Sequence, residues 1–128
     1  MFSKIPPTYY FIGISVLLIV GLFGYRFYSE NQPGQYDEFA QCIADSGATF
    51  WGAFWCPHCA EQKKLFGSSV QYLPYHECSL PNGQGQNEDC NAAGIKGYPT
   101  WDFANGERIA RVLTLQELAD QTGCTLPQ

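Results

Sequence analysis

Cys56 and Cys59 stand two residues apart in the run Trp55-Cys56-Pro57-His58-Cys59, a spacing suited to thiol–disulfide exchange. That reaction needs a thiolate to attack a sulfur and a second thiol to resolve the mixed disulfide. Two cysteines so spaced at a helix start supply both. The first sulfur faces the free N–H groups and positive end of the helix, and the second lies one turn in, close enough to close the ring. A free cysteine titrates near about 8.5, and such settings lower it by several units. Pro57 presets the first turn without a backbone donor, and His58 can bring positive charge or a ring N–H to the Cys56 thiolate. A stabilised thiolate favours the dithiol and makes the disulfide a stronger oxidant. The Pro57-His58 pair therefore points to donating disulfides rather than removing them. A titration of Cys56 no lower than a free thiol would remove that basis.

The competing chemistry is half a zinc site, with Cys78, Cys90, His58 or His76 completing four ligands. Zinc ribbons usually bring a second close-spaced pair, whereas Cys78 and Cys90 stand twelve apart. The aromatic run before Cys56 and the proline after it favour redox use, so no metal is expected.

The elements that must hold this pair follow from periodicity and turn residues. Residues 36–46 place Tyr36, Phe39, Ala40 and Ile43 at helical spacing, closed by Gly47. Residues 48–55 are nearly all apolar, as in a strand buried on both faces, and Pro57 opens a helix running to Phe66. Residues 71–78 suit a second strand interrupted by Pro74, 79–86 a polar loop, and 87–93 a short helix stopped by Gly94. Residues 100–104 and 107–113 flank Asn105-Gly106, a strong hairpin signal. Thr114, three residues before Glu117, begins a capping box for a helix to Thr122, ended by Gly123. No internal repeat is present.

Ahead of this domain, Tyr9 to Tyr25 is an uncharged run of 17 residues, at the lower end of what spans a bilayer. Tyr9, Tyr10, Tyr25 and Tyr28 cluster at its ends as interfacial aromatics do. A cleaved signal peptide wants small residues after the run, but Arg26-Phe27-Tyr28-Ser29-Glu30 follows. Cys42, after Gln41, lies too far downstream for a lipoprotein site. The expected organisation is a short tail (1–8), a transmembrane anchor (9–28), a polar linker (29–35) and a folded domain (36–128). Lys4 and Arg26 flank the segment on opposite sides, so basic residues barely orient it. Six cysteines in 128 residues favour an oxidising compartment, which puts the C-terminal domain outside the cytoplasm. Formal net charge is −5, and all twelve Asp and Glu lie from Glu30 onward, against five Lys and Arg there. No basic patch is available for nucleic acid.

The residues quoted also carry a resemblance. Trp55-Cys56-Pro57-His58-Cys59 after an apolar strand, with Gly97-Tyr98-Pro99-Thr100 some forty residues on, resembles the thioredoxin superfamily. Residues 52–67, 73–79 and 97–101 look more closely like one branch. That branch is the thioredoxin-like domain fused to, or working with, bacterial and plant homologues of vitamin K epoxide reductase. The likeness covers about residues 36–126. It implies an α/β thioredoxin-like fold with a four-stranded mixed sheet flanked by helices. It also implies a cis Pro99 beside the redox pair, with backbone near Tyr98 offered to a substrate strand; an ordinary trans proline at a strand start is the alternative. Cys56 and Cys59 would be catalytic, with Pro57, His58, Tyr98 and Pro99 in support, and no cofactor of the chain's own. In that branch a membrane-embedded, quinone-linked reductase oxidises the domain, which passes disulfides to exported cysteine-containing proteins. This chain shows one apolar segment rather than a bundle, so a separate partner in the same membrane is implied. One departure from ordinary thioredoxins stands out: strand 48–55 has no carboxylate to manage the proton of Cys59.

The branch often has a structural disulfide where Cys78 and Cys90 flank the polar loop. Such a bridge stabilises by roughly 3 kcal/mol on the chain-entropy model; the alternative is a relay of electrons between Cys56–Cys59 and the partner. Cys42 and Cys124 remain, to pair by elimination as a staple of the domain ends or to stay free. His76 reads as a strand residue rather than a ligand, and Trp51, Trp55 and Trp101 as core and active-site rim. Three functions compete: a disulfide-donating oxidoreductase, a membrane-tethered thiol reductant of the same fold, and a non-catalytic binding module.

Overall fold

A computed structural model describes residues 6–128. The chain divides after Gln32 into an N-terminal helical unit and a folded unit, Pro33–Gln128. Helix α1 spans Pro7–Glu30, with Pro7 at its first turn, where a missing N–H costs nothing. The helix begins and ends two residues outside the expected segment 9–28. Of the tail expected over 1–8, residues 1–5, Lys4 among them, lie outside the described residues. α1 is long and apolar enough to cross a membrane, and none of its residues is buried. It lacks a polar face, the pattern of a helix that needs an apolar surround on all sides.

The folded unit is α/β. It runs α2 (Asp37–Asp45), β1 (Thr49–Gly52), α3 (Pro57–Lys64), a 3-10 helix (Gly67–Tyr72), β2 (Tyr75–Glu77), α4 (Glu88–Ala92), β3 (Thr100–Asp102), β4 (Arg108–Ile109) and α5 (Leu115–Thr122). The sheet order is β2-β1-β3-β4. β1 and β2 pair in parallel, with Phe50 opposite Tyr75 and Gly52 opposite Glu77. The β1–β3 and β3–β4 pairs are antiparallel. A parallel pair needs a long crossover, and α3 with the 3-10 helix provides it. The expected four-stranded mixed sheet with flanking helices, a thioredoxin-like arrangement, is present.

Alternation along β1 sorts the core. Phe50 points into the main core, where its ring stacks on Trp101 at 4.7 Å and Phe39 stacks on Phe66 at 6.0 Å. Trp51 points to the other face, against a smaller cluster of Cys78, Cys90 and Ile95. Thr49 and Trp51 are therefore half-buried, which corrects the expectation of a strand buried on both faces.

Two other elements depart from expectation. Residues 71–78 are not one strand: Gly67–Tyr72 winds as a 3-10 helix and β2 begins only after Pro74. Proline has no N–H for a ladder, but its carbonyl accepts the Phe50 N–H at 2.9 Å, so pairing starts there. The second arm of the hairpin is two residues long, not seven. Further along, buried Gln62 takes both backbone groups of Leu113: Oε1 accepts from the N–H at 2.8 Å and Nε2 donates to the carbonyl at 2.9 Å. The turn itself forms at Asn105-Gly106, with Gly106 at φ +87°, a conformation glycine tolerates. α5 carries the capping box at Thr114 and Glu117 and ends on Gly123.

Candidate functional site

α3 starts at the cysteine pair. Cys56 is its N-cap, with extended backbone, and Pro57 occupies the first helical position. The Cys56 Sγ accepts the Cys59 N–H at 3.3 Å, one of the donors a helix start leaves unpaired. As a thiol, Cys56 also lies 3.7 Å from the Tyr98 carbonyl. The Tyr98–Pro99 bond is cis. Thus Cys56, Cys59, Pro57, Tyr98 and Pro99, far apart in sequence, meet at one end of the sheet.

The two thiols are unbridged and differ in setting. Cys56 is 6% exposed and Cys59 only 1%. Burial above all, then the hydrogen bond with Cys56, pushes the Cys59 thiol up to about 12. Lys63, one turn further along α3, opposes that rise.

His58 is placed differently from expectation. Its ring Nδ1 lies 3.4 Å from Glu61 Oε2 on the exposed side of α3. Among the described residues it makes no hydrogen bond to Cys56. His58 and Glu61 instead line a groove of about 440 Å³ with Tyr98, Pro99, Ala110, Arg111 and Val112. Just before the pair in sequence, Phe54 and Trp55 are 60% and 51% exposed. The Trp55 ring meets Tyr98 edge-on at 5.9 Å, and its N–H donates to Ser79 Oγ at 2.9 Å. An exposed apolar pair and a groove lined by Tyr98 and Pro99 therefore lie near the cysteine pair.

The other four cysteines are bridged. Cys78–Cys90 ties the loop after β2 to α4, with Cα atoms 5.6 Å apart. Cys42–Cys124 ties α2 to the segment after α5, with Cα atoms 5.9 Å apart. These bridges occupy the thiols that the zinc alternative would need from Cys78 and Cys90. His76 stacks obliquely against Trp51 at 4.8 Å, and its Nε2 lies 3.7 Å from Asp89. Trp101 is fully buried and Trp55 forms the rim.

Several site residues carried no local signal in the sequence. Gln62 is fully buried; its Oε1 also accepts from Trp101 Nε1 at 3.2 Å, which locks α3 against β3. Tyr75 and Glu77 lie one behind the other on β2, with Tyr75 Oη donating to Glu77 Oε2 at 2.7 Å. Glu77 Oε1 accepts the N–H groups of Phe54 at 3.1 Å and Ser79 at 2.9 Å. The i, i+2 spacing of Tyr75 and Glu77 puts both on one face, but only the register with β1 reveals what that face meets.

No protein-family model matches the chain. Over 94 residues, 70% of this chain, it is 41% identical to the Arabidopsis thaliana protein named thiol-disulfide oxidoreductase LTO1. The match spans only 24% of that plant protein's length. By its sheet and by the cysteine pair at the start of α3 the chain has a thioredoxin-like fold, and it is similar over those residues to a protein named for thiol–disulfide exchange.

Proposed function

We propose that the chain is a membrane-anchored thiol–disulfide oxidoreductase that donates disulfides to exported cysteine-containing proteins through Cys56 and Cys59. One observation carries the reading. Of six cysteines, only Cys56 and Cys59 are unbridged, and the Cys56 sulfur is held at a helix start by the Cys59 N–H. The similarity to a plant thiol-disulfide oxidoreductase supports thiol–disulfide chemistry, and α1 supports anchoring.

In the donating direction, a client thiolate attacks Cys56 Sγ of the oxidised pair. The Cys56–Cys59 bond breaks, and Cys59 leaves with the electron pair and takes up a proton. A second client thiolate then attacks the client sulfur of the mixed disulfide, forming the client's bridge and releasing Cys56 as a thiolate. Two electrons now reside on the dithiol. A membrane, quinone-linked partner of the vitamin K epoxide reductase-like kind removes them and restores the bridge. The groove beside Pro99 and the apolar rim at Phe54 and Trp55 suit an extended client segment crossing the pair. The folded domain lies outside the cytoplasm in this reading, where Cys78–Cys90 and Cys42–Cys124 persist.

Replacing Cys59 by Ala tests the reading, because it leaves the mixed disulfide on Cys56 unresolved. The expected outcome is covalent capture of exported chains and of the membrane partner. Absence of any captured chain, with client oxidation unaffected by Cys56→Ser, would leave the fold as a binding module. The reduction potential decides direction: a value near about −270 mV, as in thioredoxin, would mark a reductant.

A further inference from the structure

A thiol as deeply buried as Cys59 needs a route for its proton. With its titration pushed up to about 12 by burial, Cys59 holds its proton at neutral pH. Yet Cys59 must act as attacking or leaving sulfur in every exchange. β1, directly beneath the pair, offers no carboxylate.

The neighbouring strand does. Gly52 ends β1 on the core side, and its neighbours crowd so close that no side chain fits there. The position a Cβ would take there is 3.1 Å from Cys59 Sγ, 2.7 Å from Tyr75 Cε2 and 3.3 Å from Tyr75 Oη. The phenol and the thiol therefore border the same point. Behind the phenol, Glu77 Oε2 accepts its proton at 2.7 Å, while Glu77 Oε1 is fixed by the Phe54 and Ser79 N–H groups. From α3, the Lys63 ammonium sits 3.4 Å above the Tyr75 ring. The remaining titratable neighbours are Cys56, at the start of α3, and Tyr98, on the loop before β3.

We propose that the Tyr75–Glu77 pair takes up and returns the proton of Cys59, with Glu77 receiving it through Tyr75 and Gly52, bare of a side chain, letting phenol and thiol lie close together. This rests on Cys56–Cys59 being the redox pair. In ring closure, the Cys59 proton passes to Tyr75 Oη as the phenolic proton passes to Glu77 Oε2. The freed sulfur pair forms the bond to Cys56 Sγ. The bond between Cys56 and the client breaks, and its electrons leave on the client sulfur as a thiolate. In the donating direction each transfer reverses, and Cys59 leaves with its proton supplied. Burial and the Glu77 hydrogen bond hold the Tyr75 phenol well above its ordinary titration range, so Tyr75 conducts the proton without storing it.

The test is the rate of ring closure from the Cys56–glutathione mixed disulfide, followed by acid quench in the full chain across about pH 6 to 10, which brackets the ordinary range of thiol titration. Tyr75→Phe keeps the ring on which Phe50 and Lys63 pack, and Glu77→Gln keeps an acceptor for Phe54 and Ser79. Both are expected to slow closure by about 100-fold at neutral pH and to climb in proportion to hydroxide until they rejoin the wild type. Closure profiles identical to wild type in both variants would overturn the inference while leaving the redox reading intact. Failure of the wild-type chain to form a mixed disulfide would overturn both. If Tyr75→Phe does not fold, Glu77→Gln carries the comparison.

Discussion

At the scale of the residue, one fold gives two cysteines opposite duties. Cys56 caps a helix with its sulfur toward a backbone N–H, whereas Cys59 is sealed in the core with its thiol pushed up to about 12. Alkylation therefore should separate them. With the two structural bridges intact, iodoacetamide near neutral pH should modify Cys56 at least about tenfold faster than Cys59, as read by peptide mass mapping. Equal labelling would contradict the asymmetry. The pair was legible in the sequence because its chemistry is encoded locally, in a two-residue spacing beside a proline. His58 shows the limit of such reading, since adjacency in sequence did not place its ring on Cys56; the helix turns it outward to Glu61. Gln62 and Glu77 were not legible at all. Each acts across the sheet or to a distant loop, through contacts fixed only once strand register is set.

At the scale of the element, the legible features were those with a complete local signature. The capping box of α5 is one, and the Asn105-Gly106 turn is another. What failed was strand length: the stretch before Pro74 winds as a 3-10 helix, and the ladder after Asn105-Gly106 stops at Ile109 with Leu113 bonded to Gln62 instead, neither visible as a period. The α5 cap also has a titration consequence. The Arg111 guanidinium first, then the Thr114 N–H and hydroxyl, hold the Glu117 carboxyl down at about 2, against 4.5 for a free group. A carboxyl depressed on folding stabilises the fold above its unfolded value, and that contribution disappears as pH falls through the folded value. Thermal melts of wild type and Glu117→Gln should therefore differ at neutral pH and converge as pH falls from about 4.5 to about 2. A constant gap across that window would contradict the assignment.

At the scale of the whole molecule, the chain joins an apolar helix to a small domain held by two bridges. Cys42–Cys124 encloses 82 residues of separation, and closing so long a loop stabilises by about 4.5 kcal/mol on the chain-entropy model. That matters for a unit of this size, whose core alone is modest. The bridges also partition chemistry, since they leave one dithiol able to exchange. The fold class was legible through the resemblance carried by the cysteine spacing and the Tyr98-Pro99 run, with which the order of helix and strand periods agreed. How the strands bring Tyr75 and Glu77 beneath Cys59 was not, because a parallel pairing carries no turn that announces its register. The central claim is that Cys56–Cys59 passes its bridge to another chain. Its most direct test is to mix the chain, oxidised at that pair, with a reduced, unfolded cysteine-bearing protein and map disulfides in both by mass spectrometry. The account predicts one bridge gained by the client for each Cys56–Cys59 bridge opened, with Cys78–Cys90 and Cys42–Cys124 still closed. A client that gains none, or gains its bridge while Cys56–Cys59 stays closed and Cys78–Cys90 opens, would contradict it.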